Sequence, residues 1–193
     1  MGAHTGEERE IYHGHGLRVV WIEADPDAFE VLRRNLVEFP EQRAIRCLVT
    51  DRDDAEYAFH IANNDGASSS ILELHYHRDI WPTVAFERTI QVRSATLPVV
   101  LAREGIDPTA YDALIMDTQG SELMVLEGAR SILKTFRYIK TEVPDFESYS
   151  GCCQLHDIAD FMKRNGFREL SRHKFAERAE GGSYYDVVYE RLS

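Results

Sequence analysis

The stretch DALIMDTQGSELMVLEGA, residues 112–129, constrains the fold more than any other, because an apolar run ends in an acid where a helix begins. Ala113 to Met116 is short and continuously apolar, as expected of a parallel strand covered on both faces. Asp117, Gln119 and Glu122 follow within a turn, and Leu123, Leu126, Ala129 and Leu133 then recur at helical spacing. Open α/β sheets bind ligands in the crevice at the carboxyl ends of their strands. A cluster of polar side chains at such a junction is therefore a candidate site.

The rest of the chain repeats the pattern. Leu17 to Ile22 reads as a strand closing on Glu23, after which Asp25 can cap a helix that has Pro26 at its first position and Phe29, Leu32, Leu36 and Phe39 on one face. Arg43 to Thr50 reads as a strand ending at Asp51, and Tyr138 to Val143 as one carrying Glu142. Ala55 to Ala62 and Thr89 to Val92 are shorter extended pieces, and Leu97 to Glu104 and the segment from Leu155 to Gly166 are helices. Thr5 and Glu8 have the spacing of a capping box, which predicts a helix from Gly6 to about His13. Phe167 to Arg172 and Tyr184 to Arg191, around the turn Glu180–Ser183, predict an antiparallel hairpin at the sheet edge. Alternating strands and helices of this kind form a doubly wound, mostly parallel sheet. The 193 residues, 44% of them apolar, are enough for one domain, 1–193, with a sizeable core.

Charge narrows the partners. A net charge of -11 argues against nucleic acid, whose binding needs a basic footprint, and favours a small or neutral substrate. No run approaches the length of a membrane span and MGAHTGEERE lacks the apolar centre of a signal peptide, so no membrane partner and a cytoplasmic location are expected. Three cysteines, two of them the adjacent Cys152 and Cys153, do not make a disulfide framework. Self-association is left open.

Four strands ending near Glu23, Asp51, Asp117 and Glu142 would line one rim with carboxylates. Such a rim suits a ligand rich in hydroxyls or carrying positive charge. Glu23 lies 17 residues after Gly6, close to the spacing between a glycine turn and the acid that accepts ribose hydroxyls in dinucleotide-binding folds. Gly2, Ala3, His4, Thr5 and Gly6 would be that turn, where the backbone approaches a ligand closely. His75 and His77 share an i, i+2 spacing that would suit a metal on a strand face, but no third ligand accompanies them and no metal is assigned.

With these motifs in view, the chain resembles the FkbM-type methyltransferases that use S-adenosylmethionine. The resemblance rests on DTQGSELMVLEGA, on GAHTG, on VVWIEADPDAFEVLRRN, on the serine-rich GASSS and on IKTEV, in the family's order and over nearly the whole chain. It implies a Rossmann-like methyltransferase fold and S-adenosyl-L-methionine as cofactor. By the same resemblance Gly2 to Gly6 line the methionine part, Glu23 with Ala24 binds the ribose, Asp51 lies near the adenine, and Asp117 with Gln119 faces the sulfonium and the acceptor. Relatives often have lysine and glutamate where this chain has Ile115 and Gln119, which leaves Asp117, Glu142, Glu122 or a histidine as the base. The resemblance also implies a small-molecule or carbohydrate substrate, expected against the segment from Asn63 to Glu87, with Ser68, Ser69, His75 and Trp81 as candidate contacts. Tyr149, Cys152 and Cys153 are expected to form a lid.

One element is out of place. In this fold a central strand precedes the glycine turn, yet only Met1 stands before Gly2. Removing a central strand leaves its neighbours roughly twice the usual 4.8 Å apart. Either they close up or something fills the slot, because buried backbone groups do not stay unpaired. The expected form is thus an N-terminally shortened O-methyltransferase acting on a hydroxyl. Its alternatives are a catalytically silent domain of the same fold and a nucleotide-dependent dehydrogenase, which the missing G-x-G-x-x-G disfavours.

Overall fold

The computed structural model describes residues 1–192. A short helix α1 (Arg9–Gly14) leads into strand β1 (Val19–Glu23), helix α2 (Pro26–Asn35) and strand β2 (Gln42–Arg46). β1 and β2 run parallel, from the pair Val19–Gln42 to the pair Glu23–Arg46. Asp25 caps α2 through its carboxylate, which accepts from the amides of Asp27 and Ala28, and Pro26 stands in the first turn, where its missing N–H is no loss. The capping box expected at Thr5 and Glu8 does not form. Thr5 Oγ1 instead donates to Glu7, and α1 starts at Arg9, three residues later than expected.

The expected strand from Arg43 to Thr50 breaks at Cys47, where the chain leaves β2 and starts β3 (Leu48–Val49) on a new partner. That partner is β5 (Phe86–Ala95), much longer than the expected Thr89 to Val92. Its length follows from pairing along almost all of β4 (Glu56–Ala62) in an antiparallel ladder, so that a largely polar strand is held by its neighbour rather than by its own apolar content. Helix α3 (Leu97–Arg103) then leads to β6 (Ala113–Met116), α4 (Glu122–Gly128), β7 (Tyr138–Pro144) and α5 (Leu155–Arg164). β8 (Phe167–Glu177) and β9 (Ser183–Arg191) close the chain as the expected hairpin, with β9 inserted between β7 and β8. The order β6-β7-β9-β8 combines a parallel pair with two antiparallel ones.

Helices cover both faces of β1. Val20 and Ile22 join the main core with Leu97, Val100, Val125, Leu126, Ile158 and Phe161, while Trp21 packs with Tyr12, Leu32 and Leu36 on the opposite face. Each fully buried side chain of this size stabilises the fold by about 1.5–3 kcal/mol. β6 is different. Leu114 and Met116 are buried, but Ala113 and Ile115 are exposed, Ile115 by 41%, so the expected double cover is absent. α1 is only six residues long and covers Trp21 through Tyr12, which leaves that face of β6 open.

β1 and β6 do not close on one another. β1 and β6 each pair with another strand on one edge only. The first three residues bridge the top of the slot: Met1 donates its terminal nitrogen to the carbonyl of Ile115 (2.7 Å), its carbonyl accepts from the amide of Asp117 (3.1 Å), and Ala3 donates to the carbonyl of Ile22 (3.2 Å). Below them the slot stays open.

Candidate active site

A cavity of about 840 Å³ runs from the glycine turn down into the slot. Gly2, Ala3 and His4 form its upper edge, with Glu23 and Ala24 at the end of β1 on one side and Asp117 and Gln119 after β6 on the other. Glu142, Ser69, Lys140 and Asp186 also line it. Three of the four strand-end acids are thus brought together as expected.

Glu23 is built into its position. The amide of His4 donates to Oε2 (2.7 Å) and the amide of Asp25 donates to Oε1 (2.8 Å), so the carboxylate fixes the glycine turn relative to β1. Each oxygen keeps a second lone pair for a ligand hydroxyl. Burial pushes its pKa up, while those two amides hold it down. Gly2 fits where no other residue would: at φ +64, a Cβ there would lie 1.6 Å from the carbonyl oxygen of Asp117.

Asp117 Oδ1 accepts from the side-chain amide of Gln119 (2.6 Å). Burial, and then the neighbouring Glu122 carboxylate, push its pKa up to about 7. Glu142 is pushed further, to about 9, by burial and by Asp117, with Lys140 acting in the opposite sense. Lys140 forms an ion pair with Asp186 at 2.9 Å. These acids sit close enough to raise one another, and a cation entering the cavity would relieve all of them.

Other candidate residues lie elsewhere. Glu122 is buried, and its carboxylate accepts from the amides of Thr118 and Gly120 and from the Thr118 hydroxyl, closing the turn between β6 and α4. Thr5 and Gly6 stand behind the cavity wall: the Thr5 carbonyl accepts from Asn35, and Gly6 packs against Leu32. Asp51 is exposed and lies off the cavity, beside Arg52. Ser68 is buried behind Ser69, bonded to Asn64 and His77. His75 and His77 sit on a single 3-10 turn, Tyr76–Asp79 with its cap, rather than on a strand. His75 is exposed beside Glu147, whereas His77 is buried between Ser68 Oγ (3.2 Å) and the Tyr184 hydroxyl (2.8 Å), its pKa lowered by burial to about 4. Trp81 packs on His77 and Tyr184. Tyr149, Cys152 and Cys153 are buried, so they form a packed wall, not a lid. Sequence reasoning missed Lys140 and the contact between Tyr149 and Gln119, neither of which carries a local motif.

A crevice at the carboxyl ends of β1 and β6, beside a glycine turn, is the ligand site of a doubly wound nucleotide-binding fold. The solved structure of Sp1610 from Streptococcus pneumoniae, whose name assigns it to the tRNA (m1A22) methyltransferases, superimposes with a TM-score of 0.52 at 11% identity, over 100% of this chain and 64% of that one. The fold is therefore the Rossmann-like methyltransferase fold. The model of the Methyltransferase FkbM domain matches residues 1–169, and the chain belongs to that family. The 2-O-methyltransferase NoeI of Sinorhizobium fredii is 30% identical over 147 residues, which are 73% of this chain and 59% of that protein. The match thus spans little more than half the length of this curated relative. Among the described residues no helix is long and apolar enough to cross a membrane.

Proposed function

We propose that the protein is an S-adenosylmethionine-dependent O-methyltransferase that methylates a hydroxyl of a carbohydrate or another small molecule. The observation that carries this reading is the single cavity bounded by Glu23 on β1 and Asp117 after β6, with the Gly2–His4 backbone between them. Its residues fit the cofactor: Glu23 offers lone pairs to a ribose diol, glycine at position 2 keeps the turn free of side chain, and the acids favour a positively charged group. When bound, the cofactor supplies an electrophilic methyl group on a sulfonium. The name of the relative NoeI supports a hydroxyl acceptor.

In this reading Gly2, Ala3 and His4 hold the methionine end, Glu23 and Ala24 hold the ribose, and Asp117 with Gln119 faces the reacting centre. Asp117 is the base. Its carboxylate lines the cavity with Oδ2 free of hydrogen bonds among the described residues, and a sulfonium beside it would favour the ionised form that takes the acceptor proton, whereas Glu122 spends its oxygens on the turn. The protein's contribution is otherwise to position the two reactants and exclude water. The acceptor would enter past Ser69 and Gln119, and we assign the cytoplasm as the compartment, in keeping with three cysteines that are all free thiols.

Calorimetry with S-adenosylmethionine tests the reading. Micromolar binding by this chain supports a working enzyme. Binding that appears only after an apolar strand is fused ahead of Met1 supports a silent domain instead, and no binding in either form refutes both. Asp117→Asn should abolish transfer to an identified acceptor, and unchanged turnover would remove Asp117 from the chemistry.

A further inference from the structure

Gln119 and Tyr149 are 30 residues apart in sequence and meet directly behind Asp117. The Gln119 amide nitrogen lies 2.6 Å from Asp117 Oδ1, and Gln119 Oε1 lies 2.7 Å from the Tyr149 hydroxyl. That hydroxyl is also 3.2 Å from the backbone carbonyl of Ser68. Both side chains are anchored. Gln119 adopts φ +50, a region that side-chain-bearing residues rarely occupy, and its carbonyl accepts from Ser70 Oγ (2.8 Å). Tyr149 is 1% exposed, with its ring 5.0 Å from that of His77.

The donors and acceptors here can be arranged in two ways. With Asp117 ionised, the amide nitrogen donates to the carboxylate and the Tyr149 hydroxyl donates to the amide oxygen. With Asp117 protonated, the same amide rotated by a half-turn accepts from the carboxyl O–H and donates to the Tyr149 oxygen, while the Tyr149 hydrogen swings to the Ser68 carbonyl. The two arrangements differ in one further respect: the Ser68 carbonyl has the Tyr149 hydrogen only in the protonated one.

We propose that Gln119 and Tyr149 form a reversible hydrogen-bond relay that turns over whenever Asp117 gains or loses a proton, which makes Tyr149 a positioning residue for that carboxylate. The proton itself comes from solvent in the cavity and forms the only new O–H bond, at Asp117; Tyr149 keeps its own hydrogen. The relay gives a reason for an amide at position 119, since a glutamate there would set a second carboxylate against the first. The other charged groups facing Asp117 are Glu122 on α4, Glu142 on β7, Asp186 on β9 and the Met1 ammonium, and none of them bonds to the Gln119 amide. Burial and the Glu122 carboxylate raise the Asp117 pKa, to about 7, which brings its titration within the range the folded protein can be followed over.

The functional meaning rests on Asp117 as the reacting carboxylate, but the test uses unliganded protein and stands whether or not S-adenosylmethionine binds. NMR titration from about pH 5 to 9 follows the Asp117 carboxyl carbon, identified by its loss in Asp117→Asn, together with the Gln119 side-chain amide. In the wild type the two should titrate together. Tyr149→Phe removes two hydrogen bonds from the protonated arrangement and one from the ionised arrangement, so the Asp117 midpoint should fall by about half to one pH unit. A rise would mean that Tyr149 only locks the amide toward an ionised Asp117, and an unchanged midpoint would make Tyr149 purely structural; either result overturns the relay. If Tyr149→Phe does not fold, a Gln119 amide that stays fixed across the titration in wild-type protein overturns it equally.

Discussion

Gly2 and the backbone carbonyl of Asp117 are so close that a Cβ on Gly2 would lie 1.6 Å from the oxygen. The first turn of the chain and the acid at the end of β6 therefore hold one another in place. Gly2→Ala should push Met1 and Ala3 out of the slot, because the contact is with backbone and φ +64 adds strain of its own. A loss of about 2 kcal/mol or more is expected in chemical denaturation, together with loss of S-adenosylmethionine binding.

Glu23 accepts one backbone amide on each oxygen, so Glu23→Gln must set an NH2 group against either His4 or Asp25. The variant should be destabilised by about 1–3 kcal/mol and bind cofactor at least about tenfold more weakly, since charge-assisted bonds are lost on both counts. Denaturant titration and calorimetry read the two effects separately. Full affinity with reduced stability would show that Glu23 serves only the turn.

The acids predict an unusual dependence on pH. Asp117 and Glu142 have pKa values raised in the folded protein to about 7 and about 9, so at these two groups the folded state binds more protons than the unfolded chain between about pH 4 and 9, which outweighs the opposite contribution of His77, lowered to about 4. The stability these groups contribute is present below their unfolded values and is lost as pH rises through the folded ones. Scanning calorimetry of unliganded protein should therefore give a melting temperature that falls from pH 5 to pH 8. Glu142→Gln should flatten the upper part of that fall, and a melting temperature that rises over this range would refute the assignment.

Gly128, in the L-x-G-A segment of α4, lets the helix approach the end of β3. A Cβ there would lie 2.2 Å from the Thr50 carbonyl oxygen, so Gly128→Ala should destabilise the fold by about 2–4 kcal/mol despite the better helix propensity of alanine. A stability equal to or above wild type would show that the helix shifts freely.

What the sequence made legible was what a local pattern encodes. Apolar runs ending at Glu23 and Asp117, and one carrying Glu142, marked three strands and the rim where they meet, and Asp25 with Pro26 marked the start of α2. Chemistry that depends on distant neighbours was hidden. Thr5 and Glu8 had capping spacing, but Glu7 was nearer to hand; β5 is long because β4 pairs with it; Asp51 ends a strand yet turns outward beside Arg52. The contact between Gln119 and Tyr149 joins two loops that no periodicity relates.

The open slot gives the sheet a seam. Glu23 stands on one side of it and Asp117 on the other, and among the described residues the bridging backbone bonds all come from Met1 and Ala3. A ligand that grips both acids is then a keystone, tightening two half-sheets as well as filling a pocket. Its stabilisation should grow with concentration as linkage requires, by about 2.7 kcal/mol at one hundred times its dissociation constant. It should also slow hydrogen exchange on both sides of the seam, in β1 and β6 together.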